Sequence, residues 1–153
     1  MAFFQFRREQ HIKGTINEVW DFISDPHNLK KITPGSMGFD IMSTGLPDQI
    51  YEGMIISYTV KPMWGIPTNW VTEITHVEPH RYFVDEQRVG PYALWHHQHF
   101  IEPAGQGVRM TDIISYQPPF GVVGRLANML VIRKKLNQIF TYREEAFDRI
   151  FPA

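Results

Sequence analysis

From Phe39 to Tyr116 the chain is a succession of six short stretches, FDIMS, MIISYTVKP, NWVTEITHV, RYFVDEQRV, LWHHQHFIE and VRMTDIISYQ, each followed by a glycine or proline connection. Alternating, β-branched and aromatic content of this kind predicts strands, and the short links predict an antiparallel meander. One more strand-like segment, FFQFRREQHIKG, precedes them and stops at Gly14. After PPFG the period changes: Leu126, Met129, Leu136, Phe140, Phe147 and Ile150 recur at helical spacing. A helix from Arg125 to Ile150 would run roughly 39 Å at about 1.5 Å per residue, enough to cross a sheet. The expectation is an α+β fold in which Leu126, Met129, Leu136, Phe140 and Phe147 face a curved antiparallel sheet.

Between the first strand and the meander, TINEVWDFISDP predicts a short helix ending before Pro26, with Thr15 as cap and Glu18 three residues later as its capping-box partner. HNLKKITPGSMG adds a helical turn or a second short helix. No linker or repeat interrupts the 153 residues, so residues 1–153 are expected to form a single domain. A formal charge of -1 offers no general basic field for nucleic acid. The absence of cysteine rules out thiolate zinc sites, disulfide scaffolds and cysteine nucleophiles. MAFFQFRREQ reaches charge too early for a signal peptide, and no run approaches the roughly 20 apolar residues of a membrane span. These features predict a cytoplasmic protein without integral membrane association.

Three of the seven histidines fall in ALWHHQHFIE, residues 93–102. With period two they divide: Trp95, His97, His99 and Ile101 share one face, while His96, Gln98, Phe100 and Glu102 share the other. A hairpin closed by a PAGQ loop would set Glu102 opposite Gly107, His99 opposite Met110, His97 opposite Asp112 and Trp95 opposite Ile114. One face then gathers Trp95, His97, His99 and Ile101 with Met110, Asp112, Ile114 and Tyr116, and Arg109, Thr111 and Ser115 turn away. His97 beside Asp112 is open to three readings: a buried polar pair that fixes register, a ligand-recognition pair, or a proton-transfer or metal site. His97, His99 and Asp112 formally offer two nitrogens and a carboxylate, but His-x-His on a strand is not diagnostic, and neither a metal nor a cofactor is expected.

Arg143 interrupts the apolar stripe of the terminal helix, seven residues after Leu136 and four before Phe147. A cation there needs a partner. It either meets Asp112 or Asp85, anchors an acidic ligand, or packs its stem and reaches water at a cavity mouth. Asp85 and Gln87 share a strand face and are either pocket groups or solvated ones. Trp20, Tyr58, Trp64, Trp70 and Phe83 are core or pocket wall. PGSMG lacks the first glycine of a nucleophile elbow, GQGVRM lacks the third glycine of a dinucleotide fingerprint, and no phosphate-binding loop occurs.

Through FVDEQRVGPYALWHHQHF, MTDIISYQPPFG and the terminal IFTYREEAF, residues 3 to 151 resemble the helix-grip, or START-like, superfamily of pollen-allergen-type (Bet v 1-like) carriers, polyketide cyclase/dehydrases and lipid-transfer domains. The closer resemblance is to its small bacterial SRPBCC ligand-binding proteins. The resemblance implies a curved seven-stranded sheet gripping the terminal helix around an interior cavity. The leading functional expectation is binding of a small hydrophobic or amphipathic molecule, lipid, aromatic or polyketide-like. Its candidate contacts are Trp95, His97, His99, Met110, Asp112, Ile114 and Tyr116 on the sheet, with Leu136, Phe140 and Arg143 on the helix. The alternative is a cyclase/dehydrase-type enzyme in which His97 moves a proton and Asp112 orients it. A third class is surface or partner association through Arg125, Arg133, Lys134 and Lys135, which Glu144, Glu145 and Asp148 oppose downstream.

Overall fold

The computed structural model describes residues 3–61 and 65–152. Its antiparallel sheet contains β1 (Phe4–Ile12), β2 (Asp40–Ile41), β3 (Ile55–Val60), β4 (Thr68–Glu78), β5 (Tyr82–Val89), β6 (Leu94–Ala104) and β7 (Gly107–Gln117). The spatial order is β1-β7-β6-β5-β4-β3-β2, so the expected meander runs unbroken from β2 to β7 and β1 pairs with β7. Two register shifts between β4 and β5, at Val71/Thr72 and Ile74/His76, are bulges of the kind that bend a sheet. The concave face produced this way holds the terminal helix.

The first connection carries α1 (Ile16–Ile23) and 3₁₀ turns over Pro26–Ile32 and Gly35–Met37. The capping box forms as its residues predict: Thr15 Oγ1 accepts from the Glu18 amide at 3.2 Å, and Glu18 Oε2 accepts from the Thr15 amide at 2.9 Å. Val19 and Trp20 of α1 are buried with Phe83, Met110 and Phe147, closing one end of the sheet.

The terminal helix is continuous over residues 121–150 but changes geometry within: α2 (Gly121–Ala127), a π-helical turn (Asn128–Ile132) and α3 (Arg133–Ile150). Leu136, Phe140 and Phe147 face inward as expected, whereas Leu126 and Met129 point outward, 55% and 76% exposed. The seam that is buried consists of Gly124, Asn128, Ile132, Leu136, Phe140, Arg143, Ala146 and Phe147. Its four-residue steps from Gly124 to Phe140 drift off a 3.6-residue helix, and the wider π turn absorbs the drift. At the start of the helix the inward positions are not apolar at all. A Cβ on Gly124 would lie 1.9 Å from the Pro119 carbonyl oxygen, so only glycine permits that approach. Asn128 Oδ1 accepts the Tyr116 hydroxyl at 2.5 Å. Phe120, Val122, Val123, Leu126, Met129 and Leu130 are left exposed together.

The β6–β7 hairpin differs from the expected register by two residues. Pro103 and Ala104 continue the strand, the turn shrinks to Gly105 and Gln106, and Ala104 pairs with Gly107. Gly105 supplies the left-handed backbone, φ 60°, that a tight turn requires. His99 therefore lies opposite Asp112, His97 opposite Ile114, Trp95 opposite Tyr116 and Glu102 opposite Arg109. An even shift leaves every side chain on its predicted face. Among the described residues no helix is long and apolar enough to cross a membrane.

Candidate functional site

Between the bent sheet and the helix lies a cavity of about 210 Å³. Its wall is mostly apolar. Trp95, His97, His99, Met110 and Ile114 reach it from the sheet, and Leu136, Phe140 and Arg143 reach it from the helix. Asp112 and Tyr116 do not line it. Asp112 is buried against the two histidines, and Tyr116 is buried against Asn128. Of the aromatic residues expected in core or wall, Tyr58, Trp70 and Phe83 line the cavity, Trp20 lies in the core beneath α1, and Trp64 falls outside the described residues. Gln87 turns to the β5–β6 connection, donating to the Tyr92 carbonyl at 2.7 Å and accepting from the Tyr92 amide at 3.0 Å.

Asp85, left outside the expected contact set, completes the polar end of the cavity. Its signal is present in the sequence, since it shares the period-two face of Phe83. The imidazoles of His97 and His99 stack with centroids 3.7 Å apart, and Phe83 stacks on His99 at 4.0 Å. Two carboxylates flank this stack. Asp112 Oδ1 lies 2.8 Å from His97 Nε2 and 3.2 Å from His99 Nδ1. Asp85 Oδ2 lies 2.5 Å from His99 Nε2 and 3.9 Å from His97 Nδ1.

These distances assign the protons. Carboxylates accept, so each ring nitrogen within reach of one donates. His99 Nε2 donates to Asp85 and its Nδ1 lies in ion-pair range of Asp112: burial pushes its pKa down, but Asp112 and Asp85 together raise it above the ordinary value. For His97, burial and then the charge of His99 prevail over the Asp112 hydrogen bond and hold its pKa low. The two rings of the stack are therefore biased in opposite senses, His99 toward the charged form and His97 toward the neutral one. Burial acts to raise Asp112 and Asp85, yet hydrogen bonds and the neighbouring cations keep both below the usual carboxylate range.

Arg143 supplies the fourth charge. Its Nε donates to the Ile32 carbonyl at 3.4 Å and its guanidinium lies 4.9 Å from the Phe140 ring centroid. No direct ion pair with Asp85 or Asp112 forms among the described residues. Burial lowers its pKa, opposed by the more distant charges of Asp112 and Asp85. With the proton on His99 rather than His97, as those shifts favour, Asp85 and Asp112 balance His99 and Arg143. Nearby, Thr72 Oγ1 meets the Trp70 indole nitrogen at 3.2 Å and the Tyr58 hydroxyl at 3.3 Å. Burial, then the charge of Asp85, raises the Tyr58 pKa, so that phenol stays protonated.

Asp85, His97 and His99 each bring a potential metal-ligating atom within 4.8 Å of the others, a different trio from the one the sequence suggests. The fit is poor: His99 Nε2, the nitrogen that faces Asp85, already donates to it, and a metal would need that proton removed beside Arg143.

Neither the protein-family models nor the curated proteins match this chain. Solved structures do. KanY protein (ms6282) aligns with a TM-score of 0.74 at 15% identity, covering 100% of both chains. TTHA0849 from Thermus thermophilus aligns at 0.69 and 16% identity, covering 94% of this chain and 96% of its own. Ara h 8.0201, a Bet v 1-like protein, aligns at 0.64 and 12% identity, covering 95% of this chain and 98% of its own. At such identities the likeness concerns the fold, which is the helix-grip fold: a curved seven-stranded antiparallel sheet around a long C-terminal helix.

Proposed function

We propose that the chain binds a small, largely apolar molecule in the cavity between sheet and helix, its polar end against Asp85, His97 and Arg143. The observation that carries this reading is an apolar chamber with a polar cluster gathered on part of its wall, the usual composition of a small-molecule site. Its volume lies below the roughly 300–1,000 Å³ of drug-sized pockets, which favours a compact ligand. A protein whose only task is to fold has no need of such a space, because interiors are otherwise close-packed. Native mass spectrometry of freshly purified protein, followed by denaturing identification of released molecules, is expected to find a stoichiometric apolar companion. If none co-purifies, a hydrophobic fluorescent probe is expected to bind one to one. Failure of both would end the reading.

A cyclase/dehydrase-type activity is the second reading, favoured by one observation. His97 donates through Nε2 to Asp112, which leaves Nδ1 without a hydrogen-bond partner and the ring on the cavity wall, the arrangement a general base requires. Asp112 would then orient the base, as the sequence expectation had it. The two readings part at His97→Gln: a catalytic base predicts loss of turnover by about 100-fold or more with ligand affinity retained, whereas an orienting role predicts weakened affinity.

A further inference from the structure

Three features of Arg143 do not fit a structural cation. It is buried, only its Nε carries a hydrogen bond, and it lines the cavity. The two terminal nitrogens have no partner among the described residues, and Ser24 Oγ is the sealed, unpartnered polar side-chain atom found there. The guanidinium's free edge therefore opens on the cavity. The same reasoning applies to His97 Nδ1, 3.9 Å from Asp85 and without a hydrogen bond. A planar pair of N–H donors facing an apolar chamber is the geometry that takes a carboxylate side-on.

Resting on the ligand-binding reading above, we propose that the ligand is a small organic acid whose carboxylate is held by Arg143, and that its arrival brings one proton onto His97. The proton follows from charge. Asp85 on β5, Asp112 on β7, His99 on β6 and Arg143 on α3 cancel, Tyr58 on β3 is neutral, and Lys135 on α3 and Asp25 ahead of the first 3₁₀ turn, which also line the cavity, carry opposite formal charges. An added anion leaves this buried group at -1, a state of high cost away from water. Among the groups facing the cluster, His97 has the open nitrogen and lies beside Asp85, so its protonation restores neutrality. The burial and the charge of His99 that favour neutral His97 are opposed by the anion once it is bound. The acid is thus recognised with its counter-proton, and its affinity rises as pH falls toward the ordinary histidine range of about 6.5.

The test compares three probes of one shape on the unaltered protein by isothermal titration calorimetry: naphthalene-2-carboxylate, its neutral carboxamide, and naphthalene-2-sulfonate. The expected result is at least tenfold tighter binding of the carboxylate than of the carboxamide, with uptake of close to one proton, read from heats in two buffers of different ionisation enthalpy. The sulfonate does not protonate in this range, so uptake with it assigns the proton to the protein. In Arg143→Met the advantage of the carboxylate over the carboxamide should vanish. Equal binding of carboxylate and carboxamide overturns the anion anchor while leaving the ligand-binding reading intact. Anion binding without proton uptake overturns the role of His97. If none of the three probes binds, the anion anchor is overturned, and the co-purified molecule decides the ligand-binding reading separately.

Discussion

Asp112→Asn is expected to destabilise the fold by about 3–5 kcal/mol, the cost of breaking a buried ion pair from one side. The substitution is nearly isosteric, so the loss is electrostatic: His99 loses one of its two anionic acceptors, and the remaining Asp85, His99 and Arg143 carry an uncompensated positive charge. Denaturant unfolding of the variant measures the loss. His97→Gln should also destabilise, and the double variant should cost less than the sum of the singles, because the two share one hydrogen bond of 2.8 Å. Strict additivity would show that they do not act as a pair.

The pH profile follows from the same cluster. Asp85 and Asp112 have depressed folded values, so their contribution is complete above the unfolded carboxylate pKa of about 4 and is lost as pH falls below it. His97 is also depressed, so the unfolded chain takes up its proton first and stability declines as pH drops below about 6.5. His99 is raised. Its contribution is complete below about 6.5 and is lost as pH climbs through its folded value. Melting temperature should therefore peak near pH 6.5, and in Asp112→Asn both flanks should flatten. A flat wild-type profile from pH 5 to 8 would contradict the assigned protonation states.

The other large effect is expected at Phe140. It is 3% exposed, packs on Phe6 with ring centroids 5.1 Å apart and supports Arg143, so Phe140→Ala should cost about 3–5 kcal/mol. Met129→Ala, one helical region earlier and outward-facing, should stay within about 0.5 kcal/mol. Urea denaturation of both variants tests the phase of the terminal helix directly. Comparable losses would restore the sequence-based facing of Met129.

That contrast also marks where the sequence was legible. Strong apolar periodicity located the strands, the capped α1 and the inner half of the terminal helix, and period two alone divided the histidines correctly between faces. It misread the outer half of the helix because the inward positions there are Gly124 and Asn128, chosen for close approach and a hydrogen bond and invisible to a hydrophobic pattern. Hairpin register was ambiguous for a related reason. Any even shift preserves the faces, and the decision fell to Gly105 and to the willingness of Pro103 to stay in the strand. Asp85 was legible only as one of two open readings, pocket group or solvated one, because its partners, His99 and His97, come from the neighbouring strand, and a period-two face tells which side a residue takes but not what it meets there.

The neutral cluster bears on how a cavity of this kind can diversify. Loss of any one of Asp85, His99, Asp112 or Arg143 leaves a net charge inside the fold, at a cost comparable with a large part of a domain's total stability. Removal of one anion together with one cation avoids that valley. Descendants of this chain should then keep the four together or exchange them in opposite-signed pairs. Apolar wall positions such as Met110 and Ile114 meet no such barrier and can drift among side chains of similar volume. The shape of the chamber is thus free to change faster than its charge.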